Sequence, residues 1–311
     1  MLMAMILDAI WGDPKWIWSR LMHPVVVIGK VISLADKHFN RYNYRKIKGL
    51  LLLCNLVFFG AALGWLLGML GGFIEIILIA ILIAQKSLSE HVSAVSSGCR
   101  QSLVGGRLAV AHIVGRDTSA MEEPEVIRAA IESAAENFSD GVVAPIFWYL
   151  VAGLPALIVY KCVNTADSMI GYKTKTYQEF GWASARLDDF LNWMPARISA
   201  IILLWSKGNL LLKGWSVIIS DAKRHRSPNA GWPEAAMAYG LDIALAGPRS
   251  YEGKVENFAW VNERGNRSVK PHDIQRALHL LWSAWTIIFT LLFICLAFNY
   301  LNLGNMLMGV K

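Results

Sequence analysis

The sequence predicts an all-α fold: a polytopic helical membrane protein with broken or re-entrant helices and long cytoplasmic helical loops. Of its 311 residues, 55% are hydrophobic and only 17% are charged, whereas soluble domains average about 45–50% and about 25%. Mean hydropathy is +0.40, and the thirteen tryptophans suit the interface between lipid and water. Because a backbone in lipid must satisfy its own hydrogen bonds, such spans are helical.

The net charge of +7 agrees with this class. Basic proteins often bind nucleic acid, but here residues 12–48 hold eight Lys and Arg against two acids, the excess that cytoplasmic loops carry. We therefore expect a multi-pass protein of the inner membrane, with the lipid bilayer as a partner and no nucleic acid. The four cysteines are isolated, so neither a zinc site nor a disulfide framework is indicated.

Apolar runs divide the chain, which we expect to form a single domain over residues 1–311. Membrane-embedded segments are expected at about residues 49–70, 73–90, 142–163, 195–217 and 278–303, and polar loops at residues 12–48, 91–141, 164–194 and 218–277. The opening run, residues 1–11, is shorter than the about 20 residues that a span needs.

Three of these segments contain helix breakers. Gly71 and Gly72 end the first, and the run after them is short and stops among polar residues, which indicates a return pass that ends inside the protein. Residues 142–163 carry Pro145, Gly153 and Pro155, and proline kinks a helix, so we expect this segment to re-enter rather than cross. Residues 195–217 are interrupted at residues 206–209.

The polar loop before the third segment carries helix signals. Ser119 and Glu122 have the spacing of a capping box, followed by Pro124 as a first-turn proline. Glu132 and Glu136 are then four residues apart, which places them on one helical face.

Carboxylates and amides cluster where polar residues follow the third segment. Asn164 and Ser168 are four residues apart, beside Asp167, and Asp188 and Asn192 have the same spacing. Clustered carboxylates repel unless a cation lies between them, and Mg²⁺ usually takes one or two carboxylates plus phosphate oxygens. A group formed by Asp167, Asp188 and Asp189 would hold Mg²⁺ and a nucleotide. The alternative is that each acid pairs with a nearby arginine or caps a helix.

A second polar block contains Asp221 and His225, spaced i, i+4. The aspartate would orient the imidazole for acid–base work, or the two would form a surface pair. Arg224 and Arg226 would bind phosphate or anchor the loop. The sequence contains neither GxxxxGK[ST] nor GxGxxG, so any use of ATP occurs without a standard nucleotide loop.

Seven blocks, in order along almost the whole chain, resemble the adenosylcobinamide-phosphate synthases, the CobD/CbiB family of cobalamin biosynthesis. They are GDPKW with HPVVVIGK, GRDTS, ESAAENFSDGVVAPIFW, NTADSMIGY, FGWASARLDDFLNWMPAR, SPNAGWPEAAMA and LAGPRSYEG.

The resemblance implies an ATP-dependent amide ligase with ATP and Mg²⁺ as cofactors. Its substrates would be adenosylcobyric acid, a corrinoid, and aminopropanol or aminopropanol phosphate, and its product adenosylcobinamide or its phosphate. A carboxylate is a poor electrophile, so ATP must first convert it to an acyl phosphate or an acyl adenylate. Other enzymes of the cobalamin pathway are further candidate partners.

The blocks mark positions without fixing roles. Candidate catalytic residues are Asp167, Asp188, Asp189 and His225, and the three aspartates are also the candidate Mg²⁺ ligands. Candidate substrate-binding residues are Arg116, Asp117, Glu132, Glu136, Asn137, Asp140, Asn164, Arg186 and Asn229. His23 is a weaker acid–base candidate. One ATP site requires Asp167 and Glu136 to lie on the same side of the membrane.

Two other functions fit the pattern. Broken helices with polar groups at membrane depth are typical of transporters, so a corrinoid-binding or transporting component without ligase activity is the main rival. A non-catalytic scaffold that holds pathway enzymes at the membrane is the third reading.

Overall fold

The computed structural model describes residues 1–208, 210–251, 254–256 and 258–308. Asn209, and Glu252 and Gly253 at the end of the last sequence block, lie outside the described residues. The regular structure of the described part is almost entirely helical, which confirms the all-α fold class.

Fourteen α-helices, one π-helical turn and four short strands follow in chain order among the described residues. They are α1 (Leu2–Trp11), α2 (Lys15–Trp18), α3 (Pro24–Phe39), α4 (Arg45–Gly68), α5 (Gly72–Leu82), α6 (Gln85–Gln101), α7 (Leu103–Ala111), α8 (Glu123–Phe138), the π-turn (Ser139–Val143), α9 (Ala144–Ile170), α10 (Trp182–Leu191), α11 (Trp193–Trp205), α12 (Leu210–Arg224), α13 (Gly231–Leu241), β1 (Leu245–Ala246), β2 (Arg249–Tyr251), β3 (Lys254–Glu256), β4 (Trp260–Val261) and α14 (Pro271–Met308). The strands form two antiparallel pairs, β1 with β4 and β2 with β3, which the sequence did not predict.

Four helical stretches of the described chain are long and apolar enough to cross a membrane: Arg45–Gly68, Gly72–Gln101, Glu123–Ile170 and Pro271–Leu301. Gly71, at a φ of 101°, separates the first two, as predicted. The second stretch passes from α5 to α6 inside the protein, because Gln85, the first residue of α6, is fully buried. The predicted segment 195–217 divides into α11 and α12, and α11, at 13 residues, is shorter than a span requires.

The stretch Glu123–Ile170 is not one straight rod, because it folds back on itself at Ala152 and Gly153. Both residues have non-helical backbone angles, and Pro155 follows. In an unbroken helix Asp140 and Asn164 would lie about 36 Å apart along the axis, yet the amide of Asn164 donates to Asp140 Oδ2 at 3.3 Å. The segment is therefore a helical hairpin with its tip at residues 152–153, which confirms the predicted broken, returning element.

The π-turn interrupts the first arm of this hairpin. Its i→i+5 hydrogen bond runs from the backbone N–H of Ala144 to the carbonyl of Ser139. A π-turn leaves carbonyls without their regular partners. Those of Asp140 and Gly141 accept instead from the Tyr160 hydroxyl and the Ala84 N–H, each at 3.0 Å. The returning arm and the break between α5 and α6 thus stabilise the turn.

Close backbone approaches bring α10 beside the returning arm. A Cβ atom on Gly181 would overlap the carbonyl oxygen of Ile170, and one on Gly49 would overlap that of Phe180. Residues 171–181 therefore lie tightly against the end of α9 and the start of α4. This packing places α10, with its two aspartates, level with the end of the hairpin.

The start of α8 differs from the prediction by one turn. Glu122, not Ser119, is the N-cap residue, and Glu125 completes the capping box by accepting the Glu122 N–H at 2.8 Å. The Ser119 N–H is taken by Asp117 Oδ1 at 2.9 Å. Pro124 lies in the first helical turn, as predicted.

Candidate functional site

A cavity of about 350 Å³ lies where the hairpin arms, α10 and the loop before α13 meet. We call it the acidic cavity, since five carboxylates line it together with two cations. The carboxylates are those of Glu136, Asp140, Asp167, Asp188 and Asp189, and the cations are Lys173 and Arg226. Because acids outnumber bases, a phosphorylated ligand would enter only with a metal cation.

Asp188 is the most firmly held of these carboxylates. It is buried, and each of its oxygens accepts a side-chain amide: Oδ1 from Asn164 at 3.2 Å and Oδ2 from Asn192 at 3.0 Å. The single hydroxyl proton of Tyr160 is shared between Asn192 Oδ1 and the Asp140 carbonyl, each 3.0 Å away. This contact fixes which end of the Asn192 amide faces Asp188. The predicted i, i+4 pair of Asp188 and Asn192 is therefore a real hydrogen bond.

Burial and neighbouring charges control the protonation of the α10 aspartates. Burial raises the pKa of Asp188 to about 6, the Asn164 and Asn192 hydrogen bonds oppose the rise, and the charge of Asp189 adds to it. Burial also raises the pKa of Asp189, against the lowering effect of Lys173 and Arg186. A cation in the cavity would favour the charged form of both carboxylates and so oppose the rise in their pKa.

Asp167 reaches the cavity from the last turn of α9. Its carbonyl ends the helix by accepting the Gly171 N–H at 2.7 Å. A Cβ atom on Gly171 would overlap Asp167 Oδ1, so the glycine leaves this carboxylate room to turn into the cavity. Asn229 closes the opposite wall and donates to the carbonyl of Asp189 at 2.8 Å.

A second cavity, of about 480 Å³, adjoins the first. Arg116, Arg224 and Arg226 line it together with four carboxylates, those of Glu132, Glu136, Asp221 and Glu234, and we call it the arginine-lined cavity. Glu136 and Arg226 belong to both cavities, so the two share a wall. Arg116 Nη2 lies 3.7 Å from Glu132 Oε2. Glu132 is itself fixed, because its Oε1 accepts the Ala246 N–H at 2.7 Å.

His225 lies in the arginine-lined cavity with a different carboxylate partner from the one predicted. Its Nε2 is 3.6 Å from Glu234 Oε1, and its Nδ1 accepts the Ser227 N–H at 3.1 Å. Asp221 instead accepts the Asn262 N–H at 2.8 Å and lies 3.8 Å from Arg224. The prediction that Asp221 orients His225 is wrong, because Glu234 on α13 occupies that position.

The described residues contain no group of three or more His, Cys, Asp or Glu arranged as a ready-made metal site. Mg²⁺ uses few protein carboxylates and completes its shell with phosphate oxygens and water. Asp167, Asp188 and Asp189 all lie around the acidic cavity, so they fit a cation that arrives with a phosphorylated ligand. The Mg²⁺ assignment stays a prediction.

Comparison with known proteins identifies the family of this chain. The family model described as CobD/Cbib protein matches residues 1–281. The chain belongs to the CobD/Cbib family. It is 48% identical over 304 residues to the "Cobalamin biosynthesis protein CobD" of Sinorhizobium sp, covering 92% of this chain and 94% of the relative. The proteins of the same name from Rhizobium meliloti and Brucella suis are 47% and 44% identical over 306 and 304 residues, covering 92% of this chain and 93% and 92% of theirs. No solved structure matches the chain.

Most of the predicted site residues of this CobD/Cbib protein converge on the two cavities. Those that line the acidic cavity are Glu136, Asp140, Asp167, Asp188, Asp189 and Asn229. Those that line the arginine-lined cavity are Arg116, Glu132, Glu136, Asn137 and His225. Asp167 and Glu136 share one cavity, as a single ATP site requires. Asn137 Nδ2 is held by the Ser133 carbonyl at 2.8 Å.

Four predicted residues do not line either cavity. Asn164 lies behind the acidic one and joins Asp140 to Asp188. Arg186 is exposed and acts on Asp189 through its charge. The Asp117 carboxylate accepts the Ser119 N–H and closes a local turn. His23 caps α3 by accepting the Val25 N–H and lies 3.4 Å from Asp13.

Sequence reasoning missed two polar residues of the CobD/Cbib site. Tyr160, fully buried, supports Asn192 and the π-turn, and Lys173 lines the acidic cavity. Tyr160 lies four residues before Asn164 in the apolar run, so this i, i+4 spacing places it on the same helical face and was enough to identify it. Lys173 lies beyond the end of α9, where helical spacing says nothing about the direction of a side chain.

Proposed function

We propose that this CobD/Cbib protein is an enzyme of cobalamin biosynthesis: an ATP-dependent amide ligase that joins adenosylcobyric acid to aminopropanol or its O-phosphate. Two adjoining cavities carry the proposal: one is rich in carboxylates, and the other adds three arginines and His225 to its carboxylates, and the two share Glu136 and Arg226. A ligase of this kind must hold a metal–nucleotide beside an amine substrate, and this arrangement supplies one compartment for each. The names of its relatives support the pathway.

The acidic cavity would take Mg²⁺ and ATP. Asp188 and Asp189 on α10 and Asp167 on α9 would hold the cation, which neutralises phosphate charge when bound. The amides of Asn164 and Asn192 keep both oxygens of Asp188 fixed, so this carboxylate is oriented before the ligand arrives. Lys173 and Arg226 provide the positive charges of the cavity for phosphate oxygens.

The corrinoid propionate would be activated at the shared wall. Its carboxylate oxygen attacks a phosphorus atom of ATP, and a P–O bond breaks to release ADP or pyrophosphate. The amine nitrogen then attacks the acyl carbon, the new C–N bond forms, and phosphate or AMP leaves. The proton of the incoming ammonium goes to the His225–Glu234 pair, in which the carboxylate is the proton acceptor.

The arginine-lined cavity would hold the amine substrate. Arg116, Arg224 and Arg226 offer planar donors that suit a phosphate group, and His225 lies in the same cavity. Arg116 and Arg224 already face Glu132 and Asp221, so a phosphate on the amine would share these arginines with the two carboxylates.

We place both cavities at the cytoplasmic side of the inner membrane, where ATP is present. The basic segment 12–48 supports this orientation. The hairpin supports it as well, because it returns the chain to the side from which it started. Asp167 and Glu136 therefore reach the same compartment.

The deciding experiment uses purified protein in nanodiscs with adenosylcobyric acid, aminopropanol phosphate and Mg-ATP. We expect a new amide by mass spectrometry and one ATP cleaved for each amide, with ADP or AMP identifying the intermediate. Aminopropanol in place of its phosphate tests the amine. Asp188→Asn should abolish the product, and Glu90→Gln, a surface acid paired with Lys86, should not.

The break at Ala152 and Gly153 within an apolar stretch is the one observation that favours a corrinoid transporter. Uptake of the corrinoid into proteoliposomes without amide formation would support that function and contradict the ligase.

A further inference from the structure

A long apolar groove lies among α3, α4, α5 and α9, apart from the two cavities of the proposed site. Its volume is about 630 Å³, within the range of small-molecule sites. Asn55 and Lys161 are the only lining residues with a nitrogen or oxygen in the side chain; the others are apolar or are Gly60 and Cys162. Neither ATP nor a phosphorylated amine fits such a surface.

The shape of the groove follows the membrane span α4. Its lining residues on that helix run from Leu52 to Leu67, which corresponds to about 22 Å along the axis. The hydrocarbon of one leaflet is about 15 Å deep, half of the about 30 Å core. The groove is therefore longer than one leaflet is deep, and it has room for an acyl chain that runs parallel to the span.

The groove is continuous with the lipid-facing surface. Phe59, Leu63 and Val31 line it, and their exposed fractions are 63%, 49% and 49%. The same side chains thus form both the wall of the groove and the outer apolar surface of α3 and α4. Because α4 is long and apolar enough to cross a membrane, this surface meets bilayer lipid rather than water.

A cation stands at the rim next to α3. Met22 lines the groove, and the ammonium of Lys30 lies 2.8 Å from its sulfur. A positive rim above an apolar groove complements an anionic headgroup above an acyl chain.

We propose that this groove binds an anionic phospholipid from the surrounding bilayer, with one acyl chain along α4 and the phosphate near Lys30. This lipid site goes beyond the ligase proposal and is independent of it, since it needs neither ATP nor a corrinoid.

The test uses the full-length protein in phosphatidylcholine vesicles with a small fraction of chain-spin-labelled phosphatidylglycerol. Electron paramagnetic resonance measures the motionally restricted fraction of the label. Val27→Trp fills the groove, whereas Val26→Trp adds the same bulk to α3 at a residue that does not line the groove. Their wild-type side chains are 43% and 49% exposed, so both variants should fold, which equal thermal midpoints would confirm.

We expect Val27→Trp to reduce the restricted fraction to the level of labelled phosphatidylcholine, and Val26→Trp to leave it unchanged. Lys30→Gln should weaken the preference for phosphatidylglycerol about fivefold, the ratio for one surface cation. Lys37→Gln on the same helix should not.

Three results would overturn the proposal. The first is equal restriction of the label in Val27→Trp and Val26→Trp, and the second is equal restriction of phosphatidylglycerol and phosphatidylcholine by the wild type. The third is a wild-type dimer that Val27→Trp alone converts to a monomer, since the groove would then hold a second copy of the chain. These measurements do not depend on amide formation, so a failure of the lipid proposal would not count against the ligase.

Discussion

The side-chain amide of Asn164 joins two carboxylates, with Nδ2 3.3 Å from Asp140 Oδ2 and 3.2 Å from Asp188 Oδ1. Asp140 lies 12 residues before the hairpin tip at Ala152, and Asn164 lies 11 residues after Gly153. Arms of nearly equal length bring the two residues level. The acidic cavity therefore depends on where the hairpin turns.

The carboxylate of Asp188 is expected to be essential to amide formation. Asp188→Asn keeps the shape of the side chain and removes its charge, so kcat should fall about 100-fold or more, as when a group that stabilises charge is lost. The steady-state rate of amide formation measures the effect, with Glu90→Gln as the surface control. Full activity of Asp188→Asn would rule out a role in holding the cation.

Tyr160 is expected to act through Asn192, without touching the ligands. Tyr160→Phe removes the hydroxyl that donates to Asn192 Oδ1, which frees the Asn192 amide to turn away from Asp188. Loss of such a supporting contact typically costs about 10–100-fold in activity or metal affinity. The Mg²⁺ concentration for half-maximal rate should rise in this variant. Tyr177→Phe, which loses a bond to Asp36 outside both cavities, should leave it unchanged.

Glu234, rather than Asp221, is expected to support acid–base work by His225. His225→Ala should lower kcat about 100-fold or more, and Glu234→Gln about tenfold. Asp221→Asn should chiefly lower the thermal midpoint, because Asp221 holds the Asn262 backbone and lies near Arg224. Rates and midpoints measured on all three variants separate the roles. A larger loss of kcat in Asp221→Asn than in Glu234→Gln would reverse the assignment.

Asp188 should make the metal-free protein more stable as the pH falls. Its folded pKa is raised to about 6, and an unfolded aspartate titrates near about 3.9, so the folded state holds the proton more tightly. This contribution is fully present below about pH 4 and is lost as the pH rises through about 6. Thermal unfolding in detergent and chelator at pH 5 and pH 7.5 measures it. Asp188→Asn should narrow the difference between the two midpoints, and an unchanged difference would contradict the shift.

The hairpin tip should not accept a side chain at Gly153. Its φ of 68° and ψ of −159° lie in a region that is essentially restricted to glycine. Gly153→Ala should therefore lower the free energy of unfolding by about 1–3 kcal/mol. Gly68→Ala is the matched control, because a Cβ there meets no atom within 4 Å and alanine favours helix. Equal midpoints for the two variants would show that the tip is unstrained.

The sequence predicted the features that rest on composition and local breakers. The helical membrane class, the break at Gly71, the return near Pro155 and the pair Asp188–Asn192 all follow from apolar runs, glycine or proline, and i, i+4 spacing. The resemblance to the family marked the blocks that converge, and most of their polar residues line one of the two cavities.

What the sequence could not show depends on contacts between distant segments. Glu234 replaces Asp221 beside His225 because α13 packs against the end of α12, and no spacing rule reaches across that loop. The capping box begins at Glu122 rather than Ser119 because Asp117 already takes the Ser119 N–H. In the sequence Tyr160 looks like any other aromatic residue of an apolar run. Only the structure shows its hydroxyl beside Asn192.

The π-turn at Ser139–Val143 serves the acidic cavity rather than the overall course of the helix. A turn of this kind absorbs one residue more than an α-turn while the helix continues in the same direction. A chain one residue shorter here would still run in the same direction from α8 to the hairpin tip. It would lose the carbonyl that meets Tyr160, and Asp140 would no longer be held opposite Asn164. The place of the surplus residue in the chain is therefore explained by the position it gives to a single carboxylate rather than by the direction of the helix.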